Sequence, residues 1–69
     1  MEYYVVQNKK NGKLVSGTDR RYNPQRQIYA DEFRPPMLFS QDKRIYEIEL
    51  KIRGINMKNF RLLEIKIEQ

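Results

Sequence analysis

Six cationic side chains crowd the first 27 residues: Lys9, Lys10, Lys13, Arg20, Arg21 and Arg26, against only Glu2 and Asp19. Clusters of this kind bind phosphate backbones, because each neutralised phosphate releases a counterion. Tyr22 and Tyr29 lie in or beside the tract, where they could stack on exposed bases. The plainer use of the same residues is a solvated turn and loop that keeps the chain soluble. The formal charge of the whole chain is +5, and nearly all of the excess sits in this tract. No helix-turn-helix, aromatic RNP motif or zinc finger accompanies it.

Tyr3 and Tyr4 form a second candidate surface. Adjacent residues of a strand point to opposite faces, so one of the two must lie on the sheet face away from any covering helix. A tyrosine there has the chemistry of an interface anchor. The acidic groups offer less. Asp31 and Glu32 could help hold a hard cation, but no third ligand is spaced nearby. Glu47 and Glu49 would need a cleft to act as a glycosidase pair, and 69 residues leave little volume for one.

Cys, His and Trp are all absent. This removes the usual zinc sites, a disulfide framework, and Cys–His or Ser–His–Asp nucleophile chemistry. Ser16-Gly17-Thr18 lacks the Gly-Lys-Ser/Thr end of a phosphate loop. No catalytic, cofactor-binding or metal-ligating residue is therefore assigned, and an enzyme is not expected.

The scaffold for these groups is read from pattern. Met1 to Gln7 reads as a strand, rich in Tyr and Val. Asn11-Gly12 is the strongest hairpin signal, with Lys13 to Thr18 as the returning arm. Asp19 to Gln27 is polar and without periodicity. Arg34-Pro35-Pro36 is stiff and extended, a rigid entry into a helix, with Met37, Leu38 and Phe39 as an apolar plug. In Gln41 to Arg53 the residues Tyr46, Ile48, Leu50 and Ile52 alternate with charges, which is a strand pattern. Boundary signals favour a helix instead. Ser40 is a good N-cap, Asp42 suits the first turn, and Gly54 sits where a left-handed C′ residue belongs. Glu47–Lys51 and Glu49–Arg53 are favourable i,i+4 pairs, and Ile45, Ile48 and Ile52 share one helical face. Phe60 to Glu68 alternates as a closing strand.

The expected fold is α+β over a single domain, residues 1–69. A three-stranded antiparallel sheet in the order β-β-α-β carries one helix on one face, and the last strand pairs with the first. The alternative is mostly β, with Arg44 to Arg53 and Phe60 to Glu68 as a second hairpin. A chain this short buries only about 60% of its unfolded surface. Without disulfides or a metal, self-association is a natural route to stability. No apolar run approaches the roughly 18 residues that cross a membrane, and no basic segment precedes an apolar stretch as in a signal peptide. A cytoplasmic protein without a membrane partner is expected.

The stretch Arg34-Pro35-Pro36-Met37-Leu38-Phe39-Ser40, the charged helix-like segment and the ending Leu63-Glu64-Ile65-Lys66-Ile67-Glu68 together resemble the small, YopT-like prophage-encoded proteins of Gram-positive bacteria. The resemblance covers most of the chain but carries no catalytic signature, so no functional residue is transferred. It implies an accessory protein of a resident phage. The function expected first is a non-enzymatic interaction module that binds a host or phage macromolecule, with self-association as a homodimer. The alternative is a nucleic-acid binder using the basic tract.

Overall fold

The Asn11-Gly12 signal is realised as a turn. Gly12 takes a φ of +73°, in the left-handed region. Its amide donates to the Asn8 carbonyl, and the Asn8 amide donates to the Lys13 carbonyl, each at 2.9 Å. The computed structural model describes residues 2–66. Within it the turn separates β1 (Glu2–Asn8) from β2 (Val15–Asp19). Met1, Ile67 and Glu68, assigned above to the first and last strands, lie outside the described residues.

The two arms meet at Gln7 and Leu14 and then part. The carbonyls of β2 and of the residue before it are claimed elsewhere. Leu14 accepts from the Ala30 amide at 2.7 Å, and Val15 accepts from the Met37 amide at 2.9 Å. So β2 pairs with β3 (Arg26–Tyr29) in a separate two-stranded sheet, with a bulge between Val15 and Gly17. The segment read as aperiodic, Asp19 to Gln27, is thus a hairpin turn plus the start of a strand. The place beside β1 goes to a two-residue strand, β4 (Phe39–Ser40). On the other side β1 pairs along its whole length with β5 (Phe60–Lys66), from Glu2↔Lys66 to Asn8↔Phe60.

The expected class is present: α+β, with a three-stranded antiparallel sheet and one helix. The first and last strands pair as expected. The third position is held by β4 instead of the hairpin's returning arm.

The helix α1 spans Lys43–Ile52. Asp42, not Ser40, is its N-cap: the Asp42 carboxylate accepts from the Arg44 amide at 3.0 Å. Ser40 belongs to β4, and its hydroxyl accepts from the Asp42 amide at 3.1 Å. Arg34-Pro35-Pro36 accordingly leads into β4 before the helix. At the other end Gly54 has φ +69°. The Gly54 amide donates to Lys51 and the Ile55 amide to Leu50, which is a Schellman closure. Two sound caps decide the segment for helix over the strand its alternation would allow. The Glu49–Arg53 pair forms, with Nε–Oε2 at 3.3 Å, whereas Glu47 pairs back to Lys43 at 3.9 Å instead of forward to Lys51.

Val6, Val15, Phe39, Leu50, Ile55 and Phe60 make the core, flanked by Tyr4, Tyr29, Met37, Tyr46 and Leu62. From α1 the core takes Leu50 and Tyr46, whose ring meets Tyr4 edge-on at 5.5 Å. The Ile45–Ile48–Ile52 face turns outward.

Candidate functional site

The basic tract is contiguous in sequence and divided in space. Arg21 folds back on Asp19, with Nη2–Oδ2 at 2.8 Å and Nε–Oδ1 at 3.0 Å, and its amide also donates to Oδ1. These donated bonds hold the Asp19 carboxyl down to about 2, and Asp19 in turn raises Arg21. The Arg21 charge is therefore committed within its own turn. Arg26 stacks over the Tyr22 ring, 4.1 Å from its centroid. Lys13 and Arg20 are exposed and have no ion pair among the described residues.

Lys9 and Lys10 line one depression and Arg26 a second, each with residues that sequence reasoning did not select. Antiparallel pairing of β1 with β5 sets the end of β1 beside the loop that precedes β5. The Lys9 amide donates to the Asn59 carbonyl at 2.9 Å, and Lys9 Nζ donates to the Met57 carbonyl at 3.1 Å. Asn56 shapes that loop by accepting, at 3.1 Å each, from the Lys58 and Asn59 amides. The result is a depression of about 370 Å³ holding Lys9, Lys10 and Lys58. A second depression of about 490 Å³ holds Arg26, Gln27 and Tyr29. Asn59 and Phe60 line both, so the two adjoin as the halves of a divided trough. Asn8, which lines the first, donates through Nδ2 to the hydroxyl of Tyr29, which lines the second, at 2.8 Å, tying β1 to β3. Lys58 was foreseeable: once the last strand pairs antiparallel with the first, residues 8–10 must meet residues 58–60.

The β2–β3 hairpin that carries Arg26 is latched to the C-terminal end of α1. Arg53 Nη1 donates to the Thr18 hydroxyl at 3.2 Å, and Gln27 Nε2 donates to the Arg53 carbonyl at 2.7 Å. The Gln25 amide, turned with its nitrogen toward the helix, donates to the carbonyls of Ile52 (3.0 Å) and Arg53 (3.2 Å).

The two candidate interface tyrosines divide as strand geometry requires. Tyr4 packs under the helix against Tyr46. Tyr3 lies on the opposite sheet face, opposite Ile65 in register and half-buried. A charge at Tyr4 would therefore strike the core, which leaves Tyr3 as the surface residue of the two.

A different apolar surface is more open. Ile45 is 51% exposed, Ile48 60% and Ile52 47%, all on the outer side of α1. Helical spacing puts them in one stripe. The signal was present in the sequence: apolar residues on both sides of a ten-residue helix cannot all be buried by one small sheet. Phe33, 89% exposed, stands at the Asp31–Arg34 turn, where Asp31 Oδ1 accepts from the Phe33 amide at 2.8 Å. Among the described residues no three acidic groups cluster, and no helix is long and apolar enough to cross a membrane. Compared with protein-family models, curated proteins and solved structures, the chain matches none.

Proposed function

We propose that the protein is a non-enzymatic interaction module that docks a partner protein through the Ile45–Ile48–Ile52 stripe of α1. The observation that carries this reading is the exposure of three isoleucines side by side on one helix. A monomeric domain gains nothing from such a stripe in water. Burying three half-exposed isoleucines contributes roughly 3 kcal/mol, about two orders of magnitude in affinity.

The borders of the stripe indicate what covers it. At 3.6 residues per turn, Arg44 and Lys51 run along one side and Glu49 along the other. Glu49 is occupied by Arg53 and Arg44 by Asp42 at 3.3 Å, while Lys51 has no ion pair among the described residues. The rim is therefore net basic. Its complement is an amphipathic segment with acidic residues beside its apolar anchors. A second copy packed antiparallel would bring like borders together, which disfavours that arrangement. Taken with the resemblance to prophage accessory proteins, the partner is a host or phage protein inside the cell.

The test places a photo-crosslinking residue at Ile48, in cells that carry the gene, with the same residue at Glu32 as control. A single adduct specific to Ile48, mapped to an acidic amphipathic segment of another protein, is expected. An adduct with a second copy, or the same adducts from both positions, overturns the reading.

A further inference from the structure

The trough between the two hairpin ends and the Asn56–Asn59 loop adjoins the isoleucine stripe at the C-terminal end of α1 and has a different chemistry. Three lysines, Lys9, Lys10 and Lys58, stand in one half, and Arg26 stands in the other. Among the described residues no carboxylate lines either half and none of the four cations is ion-paired. Lys9 and Arg26 are held in place before any ligand arrives, by the Lys9–Asn59 and Lys9–Met57 bonds and by the Tyr22 ring, and Asn56 orders the backbone that carries Lys58.

We infer that this trough binds single-stranded nucleic acid along its phosphodiester backbone. A lone phosphate would be served by one tight cluster. Here positive charge stands in two depressions that share Asn59 and Phe60 as a wall, which matches a polymer with more than one phosphate. The Arg26–Tyr22 stack offers a planar face where a base can lie, as single-strand binders require. A single strand leaves its bases free to reach that face, whereas a duplex keeps them paired and stacked.

The test is fluorescence anisotropy of labelled twelve-residue oligo-dT and oligo-U, with a duplex of equal length, in 50 and 200 mM salt. Single strands are expected to bind more tightly than the duplex. With four phosphates neutralised, affinity is expected to fall roughly 50-fold between the two salts. Lys58→Glu is expected to weaken binding at least tenfold. Arg34→Glu makes the same change in net charge outside the trough and is expected to weaken binding less than threefold. Both side chains are exposed, and circular dichroism verifies that each variant folds. Equal losses for the two variants would reduce the effect to net charge and overturn the site. Absence of binding in 50 mM salt, or tighter binding of the duplex, overturns it as well.

Discussion

Leu50→Ala and Ile48→Ala, made separately, test which side of α1 is bound to the rest of the fold. The two residues sit on one helix, two positions apart, and have similar volume. Leu50 is 6% exposed within the core, whereas Ile48 is 60% exposed. Truncating a buried leucine costs about 3 kcal/mol, counting lost transfer energy and the cavity left behind. A chain of this size has roughly 3–10 kcal/mol of stability in all, so the variant should be badly weakened. At about 4–8 °C per kcal/mol, its melting temperature is expected to fall by roughly 12–24 °C. For Ile48 about two-fifths of a side chain worth ~2 kcal/mol is lost, roughly 0.8 kcal/mol. The better helix propensity of alanine returns ~0.4 kcal/mol. The net is ~0.4 kcal/mol, or about 2–3 °C. The assay is a thermal melt followed by circular dichroism at 222 nm, at two protein concentrations a hundredfold apart. An Ile48→Ala loss comparable to that of Leu50→Ala at both concentrations would refute the orientation of the helix. A large Ile48→Ala loss at the higher concentration alone would mean that a second copy covers the stripe.

Three other outcomes rest on local structure. Among the described residues Gly54→Ala meets no atom within 4 Å of the added Cβ, yet φ is +69° there. The left-handed backbone alone should lower stability by about 1–2 kcal/mol in a urea titration. Arg53 is four-fifths buried and bonds both Glu49 and Thr18, so Arg53→Met should cost about 1–2 kcal/mol and speed amide hydrogen exchange in β2 and β3. Asp19 has a folded pKa of about 2, below its ordinary 3.8. Its contribution to the turn is therefore complete above about pH 4 and lost as pH falls through about 2. The Arg21 amide shift should titrate in that window by NMR, and Asp19→Asn should abolish the titration.

What the sequence made legible depended on whether neighbours along the chain were also neighbours in space. The alternation of Leu63 and Ile65 with charges, and the run Tyr3 to Val6, specified two strands, and their antiparallel pairing followed. Gly54 announced the helix end because only a left-handed residue closes a Schellman turn there. Ser40 misled as an N-cap because the two-residue strand Phe39–Ser40 is too short to show a period, so the helix start moved to Asp42. The hairpin's returning arm left β1 because the Leu14 and Val15 carbonyls bond to Ala30 and Met37, partners far along the chain. The Ile45–Ile48–Ile52 face was visible, but the side of α1 that meets the core is set by Tyr4 and Val6, on another element. The basic tract failed as one unit for the opposite reason: Arg21 is consumed by Asp19, two residues away.

The two proposed surfaces meet at the C-terminal end of α1. Ile52 ends the isoleucine stripe, and its carbonyl accepts from Gln25, which lines the trough. Gln27, another trough residue, holds the Arg53 carbonyl, and Arg53 in turn occupies Glu49 on the stripe's border. A change at Gln25, Gln27 or Arg53 would disturb both surfaces and decide between neither. Ile48 lies mid-helix away from the trough, and Lys58 lies on the loop away from the stripe. If both readings hold, Ile48→Glu abolishes partner docking and leaves oligonucleotide affinity within about twofold, which is under 0.5 kcal/mol. Lys58→Glu does the reverse. Joint loss of both activities from either substitution would mean one continuous interface across the end of the helix.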